Sequence, residues 1–383
     1  MNPVESTFWL CCFLVVYTYV FYPALLLALS IFRRKRRSLD ENHLPSVSLL
    51  IAAYNEEAVI EEKMKNCLAL DYPKDKLEVL VGSDGSDDQT NALVAKYAQH
   101  NVKLFPYQQR RGKAAVLNDI AGAATSEVLI FSDANSMYRR DAILRLAPHF
   151  AGAEVGGVCG RLVLLSDERQ IDAEGERFYW DYENYLKYLE GKIKTVFGAN
   201  GAIYAIRKSL FRPLPSHKVV ADDFLIPLKI VERGYDVVYD KDAVACEFAA
   251  PNLSAEFKRK VRIGAGNFHG LREILPLLNP IRGFVAFGLW SHKIIRWLVP
   301  FLLLAIFFSN LALLGTTLYN VLFALQVFFY GVALVSWQLD RRGVQLPLLI
   351  YPYYFVTVNF ALLLGFFKFL TGSQKPAWAR TER

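Results

Sequence analysis

Acids fall in three short clusters along the chain, and their spacing makes them the residues best able to do chemistry. The clusters are Ser83-Asp84-Gly85-Ser86-Asp87-Asp88, Ser132-Asp133-Ala134-Asn135 and Ala221-Asp222-Asp223-Phe224. Carboxylates crowded together repel, and a divalent cation is the usual remedy. Mg²⁺ commonly takes one or two protein carboxylates and leaves its other positions to water and substrate phosphates. Lys113, in the turn Arg110-Arg111-Gly112-Lys113 ahead of an Ala-rich stretch, adds a cation where a phosphate would want it. The sequence has no Gly-x-x-x-x-Gly-Lys-Ser/Thr run, which argues against a P-loop NTPase. Asp and Asn also cap turns and helix starts, so any one cluster alone reads as structural. The combination carries the chemical reading.

Apolar runs at 47–52, 77–81, 102–105 and 128–131 read as short strands. They alternate with helical stretches at 58–70, 90–100, 114–123 and 142–150, a pattern that predicts an α/β fold with a parallel, βα-wound, Rossmann-like sheet. Ligands bind beyond the carboxyl ends of the strands in such sheets, so the acids that follow strands should gather at one edge. Further strands are expected at 156–165, 203–206, 237–239 and 243–246, and a helix from 221 to 232 closes at Gly234. Phe178, Tyr182, Tyr185 and Leu189 recur at helical spacing within 172–192. That stripe reads first as core packing and second as a face toward a substrate.

The 383 residues carry a net charge of +7, with 53% hydrophobic and 14% aromatic residues, and the apolar excess is concentrated at the two ends. Residues 8–32 hold no charge, and Arg33-Arg34-Lys35-Arg36-Arg37 follows at once. This order predicts an uncleaved transmembrane anchor over 1–37, amino terminus outside and the next domain in the cytoplasm. Residues 45–270 are expected to form that cytoplasmic domain. The stretch 271–296, with Arg272, Arg282, Lys293 and Arg296 among apolar residues, reads as interfacial helices. Residues 297–370 read as transmembrane segments: an uncharged run 297–339 fits a hairpin of two spans turning near Gly315, and 344–367 is another uncharged stretch. Four full spans would leave the carboxyl terminus outside. The basic tail over 371–383 favours the cytoplasm instead, so either the last stretch is re-entrant or kinked, or the basic tail lies outside. Five scattered cysteines form neither a zinc spacing nor a disulfide framework and fit a reducing compartment. The basic residues border the membrane, which argues for a lipid bilayer and against nucleic acid as partner.

Residues 47–262 resemble the family 2 inverting glycosyltransferases, of the membrane-integrated kind that includes cellulose, hyaluronan and poly-N-acetylglucosamine synthases. The matching residues are Tyr54-Asn55-Glu56-Glu57, Ser83 to Asp88, Arg111-Gly112-Lys113, Asp133-Ala134-Asn135, Gly198-Ala199-Asn200-Gly201, Ala221-Asp222-Asp223 and Lys260-Val261-Arg262. The resemblance implies a GT-A fold, a nucleotide-sugar donor and a divalent metal, Mg²⁺ or Mn²⁺. By it, Ala53, Tyr54, Glu56, Asp84, Lys113, Asp133 and Arg262 bind the nucleotide sugar. Asp133 and Asn135 hold the metal, Asn135 standing where the family usually has a second acid. Asp223 matches the general base with Asp222 beside it, and Gly198, Ala199 and Asn200 match the acceptor-side turn. Ile263 stands where the synthases have a Trp, so a flat apolar surface is missing.

The expectation is therefore a glycosyltransferase in the bacterial inner or plasma membrane. It would move a sugar from a nucleotide-diphosphate sugar, a UDP-sugar, to a glycan or lipid-linked acceptor in polysaccharide biosynthesis, with a partner subunit or second copy where product is exported. The alternative is a transporter or channel with a cytoplasmic nucleotide-binding regulatory domain, which predicts charged residues inside the spans. The run 297–339 offers only uncharged polar residues such as Ser309, Asn310 and Gln326.

Overall fold

The computed structural model describes residues 2–32, 35, 37, 39–165, 172–249, 253–342, 344 and 346–374. Arg33, Arg34, Arg36 and most of the basic tail lie outside the described residues. In chain order the elements begin with α1 (Pro3–Val16), α2 (Tyr22–Phe32), β1 (Val47–Ala53), α3 (Ile60–Leu68), β2 (Leu77–Asp84), α4 (Thr90–Ala95) and β3 (Val102–Tyr107). There follow α5 (Lys113–Ala123), β4 (Val128–Asp133), β5 (Met137–Tyr138), α6 (Ala142–Leu146), β6 (Val155–Leu165), α7 (Asp172–Ile193) and β7 (Tyr204–Arg207). The last are α8 (Asp222–Glu232), β8 (Asp236–Phe248), α9 (Leu253–Glu273), α10 (Phe284–Gly288), α11 (Ile295–Ala312), α12 (Thr317–Asp340) and α13 (Pro347–Thr371).

The strands form one sheet in the order β3-β2-β1-β4-β7-β6-β8-β5. Half of it is the parallel sheet the alternating pattern predicts: β2 pairs with β1 and β3, and β4 with β1, all parallel. The other half is mixed, because β7 enters antiparallel to both β4 and β6. Between β6 and β7 come α7 and the turn at Gly198, after which the chain returns antiparallel. The two short strands expected at 237–239 and 243–246 are one strand, β8, whose pairing with β6 shifts register between Cys159 and Arg161. Burial explains the apolar runs: every residue of β1 and β2 is buried, with core on both faces.

Four helices among the described residues are long and apolar enough to cross a membrane: Pro3–Phe32, Phe284–Ala312, Thr317–Asp340 and Leu348–Thr371. The first two each contain a π-helical segment, Tyr17–Phe21 and Leu289–Ile294. These segments meet, with Tyr17 Oη 2.7 Å from Ser291 Oγ and Thr18 donating to the Ser291 carbonyl. Such local expansions re-aim the side chains that follow.

Three expectations are corrected. The stretch 271–296 divides, since α9 runs to Glu273 and Phe284 begins a continuous apolar helix. Lys293 and Arg296 sit inside that helix because Glu183 of α7 pairs with both. The last stretch is one unbroken helix through Pro352 rather than re-entrant. On α7, Leu189 is buried but Phe178 is 62% exposed and Tyr185 45% exposed, so the aromatic stripe is not core. The face that packs inward instead carries Glu183, Asn184, Leu186, Lys187 and Glu190.

Candidate active site

The acidic turn after β2 turns out to organise loops. Asp84 is fully buried, and its two oxygens accept the backbone N–H groups of Arg111 and Gly112 at 2.6 and 2.9 Å. Gly112, at φ 91, starts α5 in a backbone shape that a side chain would strain, and so it delivers Lys113. The direct nucleotide contact expected of Asp84 does not fit this burial; the carboxylate is spent on the loop that carries Lys113. Asp87 and Asp88 do similar work on the loop after β1. Asn55 and Asp87 exchange two hydrogen bonds, and the Glu57 amide donates to Asp88. Ala53 is buried in β1, and Tyr54 lies beneath the Arg110 guanidinium, 3.6 Å from its ring centroid.

Lys113 is the centre of the polar cleft. Its Nζ lies 2.8 Å from Asp133 Oδ1 and 3.0 Å from Asp222 Oδ1. Burial alone would lower this lysine, but Asp133 and Asp222 override it and hold it above its usual range. Asp222 also accepts from the Tyr204 hydroxyl at 2.9 Å. A Cβ on Gly201 would lie 3.4 Å from Asp223 Oδ2 and 3.6 Å from Asp133 Oδ2, so both carboxylates face one small space beside this glycine. Asp222 and Asp223 occupy the first turn of α8, where the helix dipole favours negative charge. Even so, burial first and Asp222 second push the Asp223 carboxyl up to about 6, against the pull of Lys113 and Lys187. The cleft holds about 240 Å³, and Glu56, Asn135 and Arg262 also line it.

The donor set fits a hard cation. Asp133 and Asn135 offer only oxygen ligands, and the buried Asn135 amide nitrogen has no hydrogen-bond partner, so the side chain is not committed elsewhere on that side. Among the described residues no three His, Cys, Asp or Glu side chains converge as a self-sufficient metal site. A cation here would be held jointly by protein and diphosphate.

Behind the cleft lies a second cavity of about 690 Å³, lined by α7, α9 and the membrane helices. Asp223, Trp180 and Ile263 belong to the walls of both spaces. Helix α9 is the partition: Arg259, Arg262 and Gly266 face the cleft, and Lys260, Gly264 and Asn267 face the cavity. Gly198 and Ala199 line the cavity, and the Ala199 amide donates to the Asp223 carbonyl at 2.7 Å. Asn200 is corrected: fully buried, it accepts from Lys187 and donates to the Gly160 carbonyl, so it braces the turn rather than facing a substrate. Sequence reasoning missed Lys187. Its Nζ also donates to the Ala199 carbonyl at 3.1 Å. The available signal was the polar spacing of Glu183, Lys187 and Glu190 on one helix face.

Residues 48–213 match the family model described as glycosyl transferase family 2. This segment is a family 2 glycosyltransferase domain. The chain is 28% identical over 237 residues, 58% of its own length, to a probable glycosyltransferase, YdaM, of Bacillus subtilis. It is 26% identical over 239 residues, 61% of its length, to poly-beta-1,6-N-acetyl-D-glucosamine synthase of Staphylococcus aureus. The matches span 56% and 57% of those relatives' own lengths, somewhat over half. A solved mannosyltransferase from Pyrobaculum calidifontis, in complex with GDP-Man and Mn²⁺, superposes with a TM-score of 0.74 at 23% identity. The match covers 97% of this chain and all of that one. The glycosyltransferase domain thus has the GT-A fold, with apolar helices on both sides of it in sequence.

Proposed function

We propose that the chain is an inverting glycosyltransferase. It moves a sugar from a nucleotide-diphosphate donor in the polar cleft to a hydroxyl of a membrane-associated acceptor in the apolar cavity. The observation that carries this is the position of Asp223 in the wall common to both spaces. A base there can take the proton of an acceptor hydroxyl on one side while the diphosphate leaves on the other.

Lys113 and Arg262 balance the charge that develops on the departing diphosphate; a guanidinium can do so bidentately. Asp133 and Asn135 would hold a divalent cation, which when bound supplies further charge neutralisation to the diphosphate. Tyr204 and Lys113 fix Asp222 so that it stays beside Asp223 and keeps that carboxyl basic. Inversion follows from a single displacement, with no carboxylate acting as nucleophile. Tyr54 and Arg110 flank the expected base side of the donor, and Asp84 acts through the loop it holds.

Lys35 and Arg37, which pair with Asp236, and Arg341-Arg342 after α12 support a cytoplasmic catalytic domain under the positive-inside rule. Four full crossings then put the end of α13 outside. The channel alternative loses support, because Lys293 and Arg296, although inside a membrane helix, are paired with Glu183 of α7.

The test is to incubate purified protein in nanodiscs with UDP-GlcNAc, UDP-glucose and GDP-mannose, and to follow nucleotide release and labelled product. Transfer from at least one donor, lost with chelator and restored by Mg²⁺ or Mn²⁺, is the expected result. Transfer undiminished by Asp223→Asn would overturn the base assignment.

A further inference from the structure

Lys63 is a buried cation that the transfer itself does not use. It lies on α3 with no exposed surface. Its Nζ donates to Ser132 Oγ at 2.7 Å and to the Ser136 carbonyl, and it sits 4.3 Å from the centroid of the Tyr138 ring. An ammonium is costly to bury, and an apolar side chain of similar length would avoid that cost. What the ammonium adds is its two hydrogen bonds. Both end on the stretch that carries Asp133 and Asn135.

The sheet explains why this lysine comes from α3. Side chains alternate along β4, so Val128 and Ile130 pack with Ile60 and Met64 of α3, while Leu129 and Phe131 pack with Val116 and Ile120 of α5. The same alternation sends Ser132 to Lys63 on the α3 side and Asp133 to Lys113 on the α5 side. Helix α3 also grips the chain as it leaves the turn. Asn66, one helical turn after Lys63, accepts from the Tyr138 amide and donates to the Tyr138 carbonyl, both at 2.8 Å. The Tyr138 hydroxyl in turn donates to the Phe131 carbonyl at 3.1 Å. Inside the turn the Asp133 carbonyl accepts from Ser132 Oγ at 3.1 Å and from the Ser136 amide at 3.2 Å. Ser136 Oγ donates to Glu247 of β8, which lines the cleft. The chain is thus tied down on both sides of Asp133-Ala134-Asn135.

We propose that Lys63 is a positioning residue for the divalent cation: by holding Ser132 and Ser136 it fixes where Asp133 and Asn135 present their oxygens. The inference rests on the reading that those two residues hold a cation together with the nucleotide diphosphate. Two effects of the ammonium have opposite signs. As a charge it repels a divalent cation, so its loss would tighten binding. As a clamp it preorganises the ligands, so its loss weakens binding. Burial lowers the Lys63 ammonium below its usual range, against the pull of Cys67, Asp133 and Glu247. Glu247 stands between this charge and the cleft and offsets it, which leaves the clamp as the larger effect.

The test is Mn²⁺ binding by protein in nanodiscs with UDP or GDP, read from the loss of the free-ion electron paramagnetic resonance signal. Protein-free discs at the same nucleotide concentration give the baseline. Lys63→Met should weaken Mn²⁺ binding about 10–100-fold, the scale for removing a group that orients metal ligands. Nucleotide affinity measured in chelator should hold. Should that variant fail to fold, Ser132→Ala removes one of the two acceptors and keeps the lysine. It should weaken Mn²⁺ in the same sense, by about two- to tenfold, as the loss of one hydrogen bond allows. Mn²⁺ affinity that is unchanged or tighter in the folded variants overturns the inference. So does an equal loss of nucleotide affinity in chelator, which would mark a general defect of the domain. Wild-type protein that binds nucleotide but no Mn²⁺ overturns the cation reading and this inference together; wild-type Mn²⁺ binding with indifferent variants overturns the inference alone.

Discussion

Lys113 Nζ lies 2.8 Å from Asp133 Oδ1, joining the start of α5 to the end of β4. The same ammonium reaches Asp222, so one side chain neutralises carboxylates from two acidic clusters. Replacing it by Met would leave Asp133, Asp222 and Asp223 facing one another without a counter-charge, and would also remove a cation from the leaving diphosphate. Lys113→Met should lower kcat by about 10²–10³-fold, the scale for losing one preorganised charge-stabilising group. Steady-state rates at saturating donor check this, and a change confined to KM would contradict it.

Asp223 fixes the direction of the pH dependence. A base must be ionised to work, and this carboxyl is pushed up to about 6 by burial and by Asp222. Below that pH it is protonated, so kcat/KM should fall about tenfold per unit as the medium is acidified. Lys187 pulls the Asp223 carboxyl down, so Lys187→Met should move the acid limb to higher pH. A limb that stays in place or moves down would show that another group titrates. Asp223→Asn should reduce transfer by at least about 10²–10⁴-fold at every pH while nucleotide binding changes little.

The cleft was legible because its acids sit where a strand ends or a helix begins. Asp133 ends β4, and Asp222 and Asp223 open α8, positions that periodicity and turn chemistry find without any coordinates. The job of Asp84 was not legible. A buried carboxylate accepting two loop amides and one contacting a nucleotide leave the same mark in a sequence, an Asp in a Gly-rich turn. Lys293 and Arg296 were misplaced for another reason. The partner that makes a charge tolerable inside an apolar helix lies on α7, remote in sequence, so Lys293 and Arg296 read as interfacial. Likewise the parallel half of the sheet follows from local alternation, whereas the antiparallel entry of β7 depends on long-range packing.

Because Asp84 spends both oxygens on Arg111 and Gly112, its substitution should act through the loop. In Asp84→Asn one oxygen can still accept, but the amide nitrogen would face a backbone donor. The expected cost is about 1–3 kcal/mol for one unmet buried group. The donor KM should rise more than kcat falls, since Lys113 is displaced but not removed. Thermal unfolding in detergent and initial rates across donor concentration separate these effects, and an unchanged midpoint would contradict the structural role.

The partition helix is held by glycine. A Cβ on Gly365 of α13 would lie 2.8 Å from the Val261 carbonyl and 3.0 Å from the Ala265 nitrogen, so α9 and α13 touch backbone to backbone. A Cβ on Gly264 would likewise lie 3.6 Å from the Gly365 Cα. No flexible side chain can yield there, and a larger residue must separate the helices. Separation would carry Arg262 and Ile263 away from the cleft, because both lie on α9 between Val261 and Ala265. Gly365→Leu should therefore destabilise by about 1–3 kcal/mol, the usual cost of overpacking, and should depress transfer with it. Gly331→Leu on α12 is the matched control, since a Cβ there meets nothing within 4 Å. Equal melting behaviour of the two variants would show that the α9–α13 contact does not hold the active site in place.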